Sequence, residues 1–283
     1  MFKSLFLFLS LIISFSSPLY ALKTACLNSS IADLWALAGG TVDITVGEAV
    51  ERGFADEDAI LVDSSSGRNI NIEILISSQP DLILGSVDTV SHVRLKALLD
   101  DIGIDMILIR EDCYEDFLSI FRTLTGLTGR EDLYQEYGEG QKKGIEEMIK
   151  ASRSPDVLPR VLFIRAGSAF SYVKAKRADD HFAARIIEDL GAVNVADEFD
   201  ALTDSLSLEA ILKADPDKII IVSQGDEEAS RAYVEHLFSS PGWRDVDAIK
   251  EGRVVFLPKD LFHFKPNGRW LDAYRMMEEA IYG

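Results

Sequence analysis

Basic and aromatic side chains gather in two short stretches of an otherwise acidic chain. Residues 157–178 carry Arg160, Arg165, Lys174, Lys176 and Arg177 and no carboxylate, although the whole sequence has 47 Asp+Glu against 29 Lys+Arg. Arg165 opens a Gly/Ser/aromatic loop that runs to Tyr172. Residues 259–270, KDLFHFKPNGRW, add Lys259, His263, Lys265, Arg269 and Trp270. Cationic groups beside rings suit an anionic, partly flat ligand: the cations take its negative charge and the rings stack on it. Arg160 and Arg177 read as plain solvated charges. His263, set between Phe262 and Phe264, reads equally as a packed, hydrogen-bonded side chain, and Trp270 equally as core. In the first half of the chain Asn28, Ser29, Ser30 and Glu48 stand at strand ends and offer hydrogen bonds.

The elements that must position these residues are short, nearly all-apolar runs: Val42–Val46, Leu82–Leu84, Met106–Ile109, Val161–Ile164, Lys218–Val222 and Val254–Leu257. Each is bounded by Gly, Pro, Ser or Asp, which is how strands buried on both faces look. Helical periods separate them, so the chain reads as βα units with mostly parallel sheets. Both basic stretches then leave the carboxyl end of a strand, where ligands bind in open α/β sheets. The first helix is capped by Asn28, Ser29 or Ser30, packs Ile31, Leu34, Trp35 and Ala38 on one face, and ends at Gly39-Gly40. Residues 131–153 are strongly charged and carry no strand signal. They read as one long helix linking two lobes, with an ordinary solvated surface helix as the plainer alternative. Gly138, Gly140 and Gly144 predict a kink in it, at roughly 1 kcal/mol each relative to Ala. The expected organisation is a lobe over 22–130, a linker helix over 131–153 and a second lobe over 154–283.

An internal repeat crosses that linker. Asn71-Ile72-Glu73 is followed seven residues after the glutamate by Pro80-Asp81 and an apolar run. Ser207-Leu208-Glu209 is followed at the same distance by Pro216-Asp217 and an apolar run. A weaker echo pairs Leu37–Val42 with Leu190–Val193. Each half is a capped helix, a Pro-terminated turn and a buried strand. Two such lobes leave a cleft between them.

With its paired Glu-to-Pro-Asp spacing, charged linker and amino-terminal leader, the mature chain resembles a periplasmic substrate-binding protein of an ABC importer. The group resembled has a rigid linker helix and carries ferric siderophores, haem or cobalamin. The 259–270 segment is also similar to the end of uncharacterised bacterial members of that family. The resemblance implies an α/β fold of two Rossmann-like lobes joined by a single long helix, and a monomer with no intrinsic cofactor. The cargo would be an iron or cobalt complex. It further implies that Glu73 and Glu209 meet arginines of the permease, the protein's only link to the membrane, through charge-assisted bidentate bonds. A first-turn glutamate also favours a helix dipole by roughly 0.3–1 kcal/mol, which explains either residue alone but not their repetition. Under this reading the basic, aromatic wall takes catecholates or propionates, and Tyr172 is a candidate axial tyrosinate for haem iron.

Composition sets the outer limits. A net charge of −18 argues against a nucleic-acid partner. Hydrophobic and charged fractions of 47% and 27% are those of a globular chain. Residues 1–21, MFKSLFLFLSLIISFSSPLYA, read as a secretory signal peptide cut near Ala21, which places the mature protein in a periplasm. Cys26 follows shortly, but Lys23 spoils the small apolar box that a lipoprotein site wants. Cys26 and Cys113 either pair in that oxidising compartment or remain separate thiols. No nucleophile elbow, zinc-protease, P-loop or dinucleotide fingerprint occurs, which sets a secreted α/β hydrolase aside as the rival class. Asp43, Asp63 and Asp88 read as acidic background. Four scattered histidines likewise give little support to a receptor for free Zn or Mn.

Overall fold

The computed structural model describes residues 22–63, 69–152, 158–169, 172–204 and 206–283; the leader peptide expected over 1–21 lies outside them. Strands β1 (Thr24–Cys26), β2 (Ile44–Thr45), β3 (Ile60–Leu61), β4 (Leu82–Ser86) and β5 (Met106–Ile109) form one sheet in the order β3-β2-β1-β4-β5. Every pairing in it is parallel. Strands β6 (Arg160–Ala166), β7 (Lys174–Ala175), β8 (Val193–Asn194), β9 (Lys218–Ser223) and β10 (Val254–Leu257) form a second sheet, ordered β10-β9-β6-β7 with β8 beside the start of β6. There only the β6–β7 hairpin is antiparallel. Helices separate the strands in both halves, giving the two-lobe α/β architecture.

The predicted strands Met106–Ile109 and Val254–Leu257 have the expected bounds, whereas β6 runs from Arg160 through Ala166 because β9 pairs with Val161–Ala166 and β8 with Arg160. The Val42–Val46 run narrows to the two residues of β2. The first helix, Ser29–Leu37, is capped by the Asn28 side chain, which accepts from Ile31 N at 2.9 Å.

The repeat has a structural purpose. Helices Ile72–Ser77 and Leu208–Ala214 are capped by Asn71 and Ser207, each accepting a backbone N–H at 3.1 Å. The chain then turns through Gln79 and Asp215, at φ 50° and 45°, into Pro-Asp. The Asp81 carboxylate accepts from Lys23 N at 2.9 Å, and that of Asp217 from Arg160 N at 2.8 Å. The aspartates' own N–H groups return bonds to the carbonyls of Lys23 and Arg160 at 2.8 and 2.7 Å. Lys23 Nζ donates to the carbonyl of Ser78, and Arg160 Nη2 to that of Ala214, at 2.6 and 3.2 Å. Each Pro-Asp therefore fastens the start of one central strand to its neighbour. Arg160, read from sequence as a solvated charge, is part of the fastening.

Helical structure runs from Glu131 to Ser152, with a π-helical stretch at Tyr134–Glu139 where the kink was expected. The carbonyl of Gly138 in that stretch accepts from Tyr114 OH at 2.6 Å. Helix Trp270–Tyr282 packs alongside. Gly144 lets it approach: a Cβ there would stand 2.9 Å from Leu271 Cδ1. Leu271 N donates to Gln141 Oε1 at 2.9 Å, and Tyr282 OH to the carbonyls of Ser152 and Leu190 at 3.2 and 2.8 Å. Phe121, Phe117, Trp270 and Phe182 form a column with successive ring centroids 5.1, 6.4 and 5.8 Å apart, tying the first lobe to the second.

Trp270 is 0% exposed at the centre of that column. It is therefore core, and the expectation that it lines the cleft is corrected. Cys26 and Cys113 are both free thiols. Cys26 is a fully buried residue of β1 paired in register with Leu84. No helix of the described residues is long and apolar enough to cross a membrane.

Candidate functional site

The carboxyl ends of β1, β4 and β5 face those of β6 and β10 across two adjoining cavities. The larger, of about 550 Å³, lies between Asp88 and Asp112 on one side and Arg165, Lys176, Asp180, His181, Phe182 and His263 on the other. The smaller, of about 140 Å³, is set into the first lobe, lined by Asn28, Ser30, Ile31, Ser86, Thr89, Ile109 and Glu111. Asp88, His263 and Lys265 border both.

Of the residues singled out in the sequence, Asn28, Ser30, Arg165, Lys176, His263 and Lys265 meet in these cavities. The rest are held elsewhere. Ser29 Oγ donates to Glu48 at 2.5 Å and accepts from Arg52 Nη1 at 2.9 Å, so Ser29 and Glu48 brace Arg52. That guanidinium covers the ring of Phe264 at 3.6 Å. Lys259 Nζ donates to the carbonyl of Gly225 at 2.5 Å. Arg269 is bound to Asp260, through both its carboxylate and its carbonyl, at 3.0 Å. Lys174 is exposed on β7, and Tyr172 is 59% exposed outside the cavity walls. Glu73 and Glu209 are exposed in the first turns of their helices.

The two walls differ in charge, and much of that charge is already matched. Lys265 Nζ reaches from the second lobe to the carbonyl of Glu111 at 2.5 Å, to Asp88 at 3.2 Å and to Asp112 at 3.7 Å. Beyond it, Asn267 Nδ2 donates to the Ser30 carbonyl and to Asp33, at 3.0 and 2.7 Å. Lys176 pairs with Asp180 at 3.4 Å. Arg165 has no ion-pair partner among the described residues; its Nε is buried without a hydrogen bond, and burial lowers its pKa against the opposing pull of Asp180.

Burial dominates the histidines. His263 is pushed down to about 4 by desolvation, then by Arg165, Lys259 and Arg52, and its Nδ1 has no partner. His181 is held well below its usual range, first by burial and then by Arg165 and other cations; its Nδ1 accepts from Ala183 N at 3.2 Å. His92, also lowered to about 4 by burial, accepts from Ser86 N at 3.1 Å and is structural. Glu111 moves the other way. It is 4% exposed, and burial raises its pKa to about 8 although Lys265, the Trp270 indole and the Asn267 N–H favour the ionised form.

Among the described residues no three or more His, Cys, Asp or Glu side chains converge as metal donors. The arrangement offers hydrogen bonds and charge to a solute. Sequence reasoning missed Ser86, Thr89, Glu111 and Asp112 and set Asp88 aside as acidic background, although all lie at or just past the ends of β4 and β5, where the strand-end rule reaches them. Asp180, His181 and Phe182 carried no signal, because the β6–β7 hairpin brings them in.

A model of the periplasmic binding protein family matches residues 24–261. An uncharacterised ABC transporter substrate-binding lipoprotein of Bacillus subtilis, YvrC, is 23% identical over 235 residues, covering 78% of this chain and 68% of its own. The periplasmic haem-binding protein RhuT of Roseiflexus sp. RS-1, in its apo form, superposes with a TM-score of 0.73 at 18% identity, over 93% of this chain and 98% of its own. The periplasmic vitamin B12-binding protein BtuF of Vibrio cholerae superposes with a TM-score of 0.70 at 14% identity, over 92% of this chain and 97% of its own.

Proposed function

The chain belongs to the periplasmic binding protein family, a family of transport solute-binding proteins, and from that premise we propose that its solute is a metal chelate. A ferric siderophore, haem or a corrinoid is captured between the lobes and delivered to an ABC permease. The observation that carries this reading is the pair of cavities at the facing strand ends, with Arg165 Nε, His263 Nδ1 and Glu111 Oε1 buried and unpartnered around them. Buried polar atoms without partners are costly, and a ligand that supplies the partners recovers that cost. Among the described residues no cluster of donors stands ready for a bare ion, which favours a metal carried inside its own chelator.

Docking falls to Glu73 and Glu209. Each is exposed in the first turn of the repeated helix, one in each half of the chain, and that symmetry supports the reading. Two separated carboxylates fix the register on a pair of basic sites. The protein works outside the cytoplasm, in the periplasm once the leader is removed, and acts as a monomer.

Purification from the native envelope, followed by an absorption spectrum and metal analysis, tests the cargo: haem, ferric catecholates and corrinoids absorb differently. A colourless, metal-free sample that binds none of them overturns the reading. Replacing Glu73 and Glu209 together by Ala should abolish uptake with ligand affinity preserved; transport that survives the double change removes the docking assignment. Titration with Zn²⁺ or Mn²⁺ should give no stoichiometric tight binding.

A further inference from the structure

We infer that the cleft selects a solute with two chemically different ends: an oxygen-rich, weakly anionic head seated on Arg165 and His263 in the larger cavity, and an uncharged hydrogen-bonding arm received by Glu111, Asn28 and Ser30 in the smaller. This rests on the reading of the cleft as a chelate site and narrows it.

The head follows from the distribution of unmatched charge. Lys265 and Lys176 are neutralised by Asp88, Asp112 and Asp180, so Arg165 is the cation on the larger cavity's wall without a carboxylate in ion-pair range among the described residues. It is anchored on β6 by pairing with Lys174 on one side and Val222 on the other, so the guanidinium is presented from a rigid strand. An unpaired, half-buried guanidinium calls for a carboxylate, catecholate or hydroxamate oxygen, which it can take with two parallel bonds. His263 Nδ1 stands in the same wall without a partner. A head with several negative charges would meet Asp88, Asp112 and Asp180 on the same surfaces, so the charge it brings is small.

The arm follows from the side cavity. At about 140 Å³ it falls below the roughly 300 Å³ at which pockets hold a whole drug-sized ligand, so it admits an appendage only. Its walls carry Asn28, Ser30, Ser86, Thr89 and the buried Glu111 carboxyl, which the Trp270 indole and the Asn267 N–H approach from the core side. Burial keeps Glu111 largely in the acid form at neutral pH, able to donate one bond and accept another. Such a chamber suits an amide or hydroxyl and penalises a second anion.

The same walls disfavour a flat macrocycle. Among the described residues Phe182 is the one Phe, Tyr or Trp lining the larger cavity; Phe264 lies under Arg52, and Tyr172 is 59% exposed and lines neither cavity. The faces of a porphyrin or corrin would rest on aspartates and lysines.

Isothermal titration of the mature protein tests this with four probes: a ferric citrate–hydroxamate chelate bearing amide arms, ferric citrate, haemin and cobinamide. The armed chelate should bind at least tenfold more tightly than ferric citrate, haemin or cobinamide. Arg165→Gln should weaken both ferric chelates at least tenfold, with Arg165→Lys recovering part of the loss. Glu111→Leu should cost the armed chelate at least ten times more affinity than it costs ferric citrate, and Glu111→Gln, which keeps a donor and an acceptor, should recover most of that. Unchanged affinity in Arg165→Gln, or equal losses for both chelates in Glu111→Leu, overturns the two-ended site. Preference for haemin or cobinamide overturns it too, while leaving the chelate-binding function standing. Binding of none of the four overturns both. Circular dichroism melting of each variant confirms that the loss is not unfolding.

Discussion

In the first lobe Asp81 holds Lys23, and in the second Asp217 holds Arg160, each clamp completed by a side-chain bond to the preceding helix end, with the same three bonds between 2.6 and 3.2 Å. At the opposite, carboxyl ends of the same strands the lobes part company. The first presents Asp88, Glu111 and Asp112, and the second presents Arg165, Lys176, His263 and Lys265. The repeated end is scaffold, where any drift in the clamp would loosen a central strand. The divergent end is the site, where identical walls would repel each other and recognise nothing. Lys265 draws the two together by placing a cation of one lobe among the acids of the other.

The sharpest way to break this picture is to cut what joins the halves. Trp270 touches Phe117 and Tyr114 of the first lobe, Phe182 of the second and Tyr274 of its own helix. Trp270→Ala should cost about 3–5 kcal/mol and split calorimetric unfolding into two transitions. The control is Trp243→Ala, a tryptophan stacked on Phe238 inside the second lobe's own core. Its loss should lower the melting of that lobe alone. A single, little-shifted transition for Trp270→Ala would mean that the column does not couple the lobes.

The clamps come next in size. Asp81→Ala and Asp217→Ala each remove the acceptor of a strand-leading N–H that water can then reach, at about 0.5–1.5 kcal/mol. Urea unfolding should give similar losses at the two positions. A large loss at one and none at the other would show that the repeat is one of sequence only.

These clamps also mark what could be read without coordinates. The Pro-Asp spacing was visible, but the bonds to Lys23 and Arg160 reach more than fifty residues and leave no local trace. β4, β5, β6, β9 and β10 were legible because burial on both faces makes an apolar run. β1, β3, β7 and β8 have two or three residues each, too few for any period to show. The basic half of the site stood out against an acidic chain, whereas Asp88, Glu111 and Asp112 vanished into that background. Lys259 and Arg269 were misplaced for a different reason: the Gly225 carbonyl beyond β9 takes up Lys259, and Asp260 within the same segment takes up Arg269. Trp270 looked like a wall because its neighbours were basic, and only packing shows that it belongs to the core.

The smallest effect separates the two walls by pH. Glu111 holds a proton up to about 8 in the folded chain, against 4.5 for an ordinary glutamate, so folding takes up a proton through that window. Its contribution to stability is greatest below pH 4.5 and declines as pH rises to 8, by at most about 1.4 kcal/mol per unit. Asp33, also raised chiefly by burial, slopes the same way. His263 works in reverse: its folded pKa of about 4 lies below the usual 6.5, so folding expels a proton and stability falls as pH drops from 6.5 toward 4. Arg165, Lys259 and Arg52 face it and add to that penalty. Thermal melts from pH 4 to 8 should therefore show Glu111→Gln gaining on the parent protein toward pH 8 and His263→Asn gaining toward pH 4. Differences that stay flat across the range for either variant would mean that the residue is not desolvated as placed, and the contrast between an acid wall that keeps its proton and a basic wall that sheds one would fail at that position.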